Sequence, residues 1–175
     1  DQRNRRKPLS NPVQRPQRIP NSVSNPGIRC VDLFCGLGGL THGLVNGGIE
    51  VVAGVDLDPN CRFPYEANND AEFLEHDVRL LSASHLLDLF GDASIRLLAG
   101  CAPCQPFSTY SRKARGTRVD EKWDLLKDFG RLIREAKPEL VSMENVPQVK
   151  DHPVFDDFLI DLQEYSVWWG VVNCA

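Results

Sequence analysis

The sequence has no apolar run approaching the ~18 residues that a membrane-spanning helix needs, so such a helix is not expected. No apolar core follows the basic N-terminus, so nothing there reads as a secretory signal. No stretch repeats itself, which argues against a repeat array. The chain opens on Asp1 rather than Met, and the expectation is a processed piece or part of a longer protein. One C-x-x-C occurs, from Cys101 and Cys104, but there is no second such pair and no H-x-x-x-H. A zinc site with four ligands is therefore not expected, and no metal is. The six cysteines are spread along core-like segments, which favours reduced thiols. The expected setting is intracellular: cytoplasmic for a bacterial protein, nuclear for a eukaryotic one.

What is present is enough for one domain with a hydrophobic core: 175 residues of ordinary globular composition. The charge is unevenly placed. Residues 1–18 carry Arg3, Arg5, Arg6, Lys7, Arg15 and Arg18 against Asp1, a net +5, which leaves −9 for the rest of a chain whose total is −4. Residues 1–27 also hold Pro8, Pro12, Pro16, Pro20 and Pro26. They form a basic arm or linker, either a solvated tail or a contact for a polyanion.

From residue 28 onward, short β-branched runs alternate with helical patterns. Strands are expected at about 29–34, 50–55, 72–75, 95–99, 139–143 and 166–172. Helices are expected at about 39–46, 59–68, 82–90, 120–136 and 154–164. In the fourth helix Leu125, Phe129, Leu132 and Ala136 share one stripe, and Pro138 stops it. This alternation describes an α/β, Rossmann-like, doubly wound, mostly parallel sheet. Such sheets bind ligands beyond the carboxyl ends of their strands. Polar residues collect at those ends: Asp32 to Gly39, Asp56 and Asp58, Asp77, Cys104 and Glu144.

The loop from Asp32 to Gly39 joins a strand to a helix through Gly36, Gly38 and Gly39. Glycines let the backbone turn and approach a ligand, and the helix N-terminus favours an anion. A bare tight turn would look the same. Asp56 lies 20 residues after Gly36, where a carboxylate can accept both hydroxyls of a ribose, in NAD or in S-adenosylmethionine alike. Asp77 could accept from an adenine amino group or be a solvated strand-end charge. Phe34 could pack on an adenine or in the core.

Around Cys104, Pro103 and Pro106 stiffen the chain and would hold a nucleophile in a fixed direction. Glu144 follows the apolar Leu140, Val141 and Met143. A carboxyl enclosed in such surroundings can stay protonated and donate a hydrogen bond; an open one is a solvated charge. Arg112, Lys113, Arg115 and Arg118 lie on a glycine-containing loop directly after the cysteine, which suits phosphate contacts.

DLFCGLGGL at 32–40, GCAPCQPFS at 100–108 and MENV at 143–146 together resemble the cytosine-5 DNA methyltransferase family, over about residues 28–175. The resemblance implies S-adenosyl-L-methionine as cofactor and DNA as partner. It places the cofactor against Phe34, Cys35, Gly36, Leu37, Gly38 and Gly39, with Asp56 on the ribose, Leu57 beside the adenine, Asp77 on its amino group and Val78 as a further cofactor contact. Many relatives have Glu where Asp56 stands, and a larger side chain where Leu57 stands. Cys104 takes the place of the nucleophile that adds to cytosine C6, and Glu144 that of the glutamate engaging the base. Gln105, Ser108, Arg112, Lys113, Arg115 and Arg118 become nucleic-acid contacts. The family's later motifs and its target-recognition domain have no counterpart in residues 28–175. Such an enzyme would need a C-terminal half or a second polypeptide. Methylation of transfer RNA, a catalytically incomplete binding module and an NAD oxidoreductase are the competing expectations.

Overall fold

A computed structural model describes residues 27–103 and 120–173, apart from the side chains of 120–123. Strands β1 (Ile28–Leu33), β2 (Glu50–Asp56), β3 (Glu72–Glu75), β4 (Ile95–Gly100) and β5 (Leu140–Met143) alternate with helices α1 (Gly39–Asn46), α2 (Arg62–Asn68), α3 (Ala83–Phe90), α4 (Asp120–Ala136) and α5 (Pro153–Asp161). All four strand pairings are parallel, in the order β3-β2-β1-β4-β5. Every carboxyl end therefore lies on one edge, and the order reverses between β1 and β4, the expected place for a ligand crevice.

Side-chain alternation splits the core across the two faces. Val31 and Leu33 point toward α3, α4 and α5, where Leu86, Phe90, Phe129 and Phe158 pack against them. Cys30, Leu97 and Ala99 point the other way, toward α1 and α2, and meet Leu40, Leu44 and Tyr65. Burying one large side chain such as Phe129 contributes about 1.5–3 kcal/mol. Local signals fix the helix ends. The Ser82 hydroxyl accepts from the His85 amide at 3.2 Å to start α3, and Gly91, at φ +57°, ends it. The buried stripe of α4 is Leu126, Phe129, Leu132, Ile133 and Ala136. Leu125 is only half-buried, because the helix turns its neighbour Leu126 inward.

The strand expected at 166–172 does not form, and residues 166–173 have no regular structure. A strand needs a hydrogen-bonding neighbour, and none of the described strands pairs with this segment. Its apolar side chains stay open: Trp168 is 81% exposed. Trp169 folds back edge-on to Phe155, with ring centroids 5.5 Å apart. The two tryptophans line a cavity of about 390 Å³ beside β5, together with Leu140, Met143, Phe155 and Phe158. No helix among the described residues is long and apolar enough to cross a membrane.

Candidate active site

The β1–α1 loop turns on three residues in left-handed conformation: Phe34 (φ +58°), Gly36 (φ +50°) and Gly38 (φ +89°). A left-handed Phe is strained, and such strain persists only where the surroundings enforce it. Here the Cys35 amide donates to Val55 O at 3.1 Å and the Gly38 amide donates to Cys35 O at 2.9 Å, which fixes the turn. The two sides of the loop differ. A Cβ on Gly38 would lie 2.8 Å from Tyr65 Cδ2 and would also strike Asn69 Nδ2, so the loop's inner side is full. A Cβ on Gly36 or Gly39 would meet nothing within 4 Å, so its outer side is open. Helix α1 follows Gly38 with no side-chain cap and no acidic residue in its first turn, so its positive end can face an anion.

Gly38→Ala is expected to destabilise the protein by about 2 kcal/mol, from left-handed strain plus overlap with a buried ring. Gly39→Ala should leave the folding free energy nearly unchanged. Denaturant titration of both variants checks this, and equal losses would contradict the packing.

Asp56 ends β2 half-buried and ties the loop to its own turn. Its Oδ2 accepts from the Gly36 amide at 2.9 Å, and its Oδ1 accepts from the Asp58 amide at 3.0 Å. Each carboxylate oxygen has a second lone pair, so the group can hold the loop and still accept from a diol. Asp77 is already engaged. Arg79 reaches it at 2.6 Å, and its amide donates to Asp77 Oδ1 at 3.0 Å. The guanidinium hydrogen bond holds the Asp77 carboxyl below the usual carboxylate range. Arg79 was not read from the sequence, although its spacing of two from Asp77 allows a local capping turn.

Val78 turns its side chain into the core beside Leu81 and Leu86. Leu37, Leu57 and Leu80, which follow the ends of β1, β2 and β3, are 65%, 59% and 76% exposed. Leu80 had no sequence signal. Cys35 is buried, and burial, reinforced by the charges of Asp32 and Asp56, pushes its thiol far above the usual range, which disfavours the reactive thiolate.

The start of the cysteine loop is anchored from both sides. The Cys101 amide donates to Leu33 O at 3.3 Å, and the Glu144 amide donates to Gly100 O at 3.1 Å. Asn145 Nδ2 donates to Ala102 O at 3.1 Å, while its Oδ1 accepts from the Val146 amide at 2.9 Å. Asn145 was not singled out from the sequence, yet it joins the end of β5 to the backbone two residues before Cys104. Cys104, Gln105, Ser108, Arg112, Lys113, Arg115 and Arg118 lie outside the described residues. The apolar enclosure expected around Glu144 is absent among the described residues. Glu144 is exposed and β5 alternates exposed with half-buried positions, because it is the edge strand of the described sheet.

Beneath the glycine loop lies Asp32, fully buried. Its Oδ2 accepts from the Thr41 hydroxyl at 2.7 Å, and Thr41 Oγ1 is 3.0 Å from the Tyr65 hydroxyl. Burial pushes the Asp32 carboxyl up to about 6, against the hydrogen bonds from Thr41, and the nearby Asp56 charge adds to the rise. Its Oδ1 has no hydrogen-bond partner among the described residues.

Residues 28–175 match the model of the family described as C-5 cytosine-specific DNA methylase. The chain is 46% identical over 149 residues to the type II methylase M.HgiDII of Herpetosiphon aurantiacus, covering 82% of this chain and 41% of that protein. It is 35% identical over 126 residues to the type II methyltransferase M.HhaI of Haemophilus parahaemolyticus, covering 72% and 36%. Among solved structures it resembles a DNA modification methyltransferase encoded within a prophage of E. coli, with a TM-score of 0.61 and 26% identity over 78% of this chain and 38% of that one. The chain thus spans about two-fifths of the length of these relatives.

Proposed function

The chain belongs to the C-5 cytosine-specific DNA methylase family, and on that premise we propose that it is the part of a DNA cytosine-5 methyltransferase that holds S-adenosylmethionine and carries the nucleophile. The observation that carries this reading is one sheet edge with two built features. One is a glycine loop closed on the inside, open on the outside and tied to Asp56. The other is the anchored backbone leading into Cys104.

The residues present fit the cofactor. The uncapped end of α1 suits its carboxylate, Asp56 suits the ribose hydroxyls, and the exposed Leu37, Leu57 and Leu80 offer apolar contact for the adenine. When bound, S-adenosylmethionine supplies an electrophilic methyl group.

The chain's own residues prepare the base. Cytosine C5 is too weak a nucleophile unaided, and the base must leave the duplex, at a cost of a few kcal/mol. The Cys104 thiolate adds to C6, and the electron pair moves toward C5. Glu144, protonated or sharing a proton once the seated base covers it, donates to N3 and stabilises the negative charge that develops there. After methylation, loss of the C5 proton and departure of Cys104 restore the ring. Gln105 and Ser108 flank the nucleophile, and Arg112, Lys113, Arg115 and Arg118 contact the DNA backbone. A further region, on the same or a second polypeptide, completes the enzyme; the open edge of β5 and the exposed Trp168 support this. A type II modification system in a bacterial cytoplasm is the setting that the relatives' names favour.

Transfer of labelled methyl from S-adenosylmethionine to duplex DNA and to transfer RNA, in parallel, tests the reading. Label in DNA alone supports it, label in RNA alone replaces the substrate, and nicotinamide cofactor competing for the site overturns the cofactor. Asp56→Ala is expected to weaken S-adenosylmethionine binding by about 2 kcal/mol through loss of a charged acceptor, as measured by calorimetry. An unchanged dissociation constant would move the ribose site elsewhere.

A further inference from the structure

Tyr65 is a fully buried aromatic whose hydroxyl bonds to another side chain rather than to the backbone. It comes from α2, outside every motif that marks the site. Its ring stacks edge-on to Phe73 at 5.7 Å and fills the space beside Gly38 and Gly54, neither of which could carry a Cβ without striking it. Phenylalanine would fill this space equally well, so the core alone does not explain the hydroxyl.

An ionised Asp32 only accepts, so Thr41 must donate to it. The Thr41 proton is then used, and Tyr65 must donate to Thr41 Oγ1. The result is one directed chain, Tyr65 to Thr41 to Asp32, joining α2, α1 and β1 beneath the loop. Asn69, also at the end of α2, donates to Tyr65 O at 3.0 Å and abuts Gly38.

We infer that Tyr65 is a positioning residue for the cofactor loop, acting through Thr41 on Asp32 so that α2 fixes the path of Gly36 to Gly39. This rests on the reading of that loop as the S-adenosylmethionine site. When Asp32 binds a proton it becomes a donor as well as an acceptor, the chain loses its single direction, and the loop loses part of its fixation. Cofactor affinity therefore rises with pH as Asp32 ionises. The titratable groups facing Asp32 are Cys30 on its own strand, Cys35 in the loop, Asp56 on β2 and Tyr65 on α2. Burial pushes the Cys30 thiol up to about 12 and also raises the Cys35 thiol and the Tyr65 phenol, so these three stay neutral. Asp56 is the acidic neighbour whose charge raises the Asp32 carboxyl.

The test is S-adenosylmethionine binding by calorimetry on the full chain from pH 5 to 8.5. Beside it, carbon NMR gives the titration midpoint of Asp32. Tyr65→Phe should bind about fivefold more weakly at pH 7.5, the size of one neutral hydrogen bond. Its midpoint should also rise, because Thr41 becomes a weaker donor to the carboxylate. Thr41→Val should raise the midpoint further, and Thr41→Ser should restore the wild-type value. A purely structural Tyr65 would lower the melting temperature and leave the midpoint alone. Wild-type binding with unchanged affinity and midpoint in Tyr65→Phe and Thr41→Val would overturn the inference and leave the cofactor site standing. No binding by the wild type at any pH would overturn the cofactor reading and this role with it.

Discussion

A DNA duplex with 5-fluorocytosine at the target position is expected to become covalently attached through Cys104 in the presence of S-adenosylmethionine, and Cys104→Ser is expected to leave it free. The proposed reaction ends when the C5 proton leaves and the cysteine is expelled. Fluorine cannot leave as a cation, so the chain stays bonded to C6 and survives denaturation. Serine keeps the geometry but has a hydroxyl of much higher pKa, so almost no anion is available to attack. The anchoring of Gly100, Cys101 and Ala102 holds the start of the loop in the variant as well, since none of those contacts uses the Cys104 side chain. A band that persists in Cys104→Ser would remove Cys104 from the mechanism. If the wild-type chain gives no band alone, the part of the Herpetosiphon relative that this chain does not span should be added. A band restored by it identifies the missing region as part of the catalytic unit, and no band with it refutes the nucleophile assignment.

The alternation of strands and helices was legible because buried parallel strands are written as short β-branched runs, as in Val51 to Val55, with glycine or proline marking their ends. The glycine loop was legible for the same local reason. Contacts between distant segments were not. Tyr65 meets Thr41 across 24 residues, and nothing in the Tyr65 segment announces a polar partner. Asp32 read as one more polar strand-end residue, whereas the register with Gly54 and Ala99 places it within the sheet, between two strands. The segment 166–172 has strand composition, but a strand also requires a neighbour, which composition does not supply. Glu144 failed in the same way. Its neighbours in sequence are apolar, but enclosure depends on what covers β5, and the described residues leave that side open.

That buried carboxylate gives the second large effect. Asp32→Asn is expected to stabilise the protein at neutral and alkaline pH while weakening cofactor binding. The carboxyl moves from an ordinary 3.8 up to about 6 on folding, chiefly because burial disfavours its charge. Below the unfolded value both states hold the proton, and the protonated group's contribution to stability is fully present. As pH rises through the folded value the folded protein must also ionise Asp32, and about 3 kcal/mol is lost in total. That is a large share of the ~5–15 kcal/mol that holds a domain together. Asparagine has the shape of the protonated acid and never ionises, so the loss does not occur. Its amide nitrogen inherits the unpartnered place of Oδ1, a constant penalty that does not vary with pH. The measurable quantity is therefore the slope. Between pH 4.5 and 8, the difference in unfolding free energy between Asp32→Asn and wild type should shift by about 2 kcal/mol in the variant's favour. Parallel pH profiles would mean that the Asp32 carboxyl ionises at the same pH in the folded and unfolded protein, so that burial does not disfavour its charge. The Tyr65–Thr41–Asp32 chain would then keep its direction down to the ordinary carboxylate range, and cofactor affinity would not rise between pH 5 and 8.5.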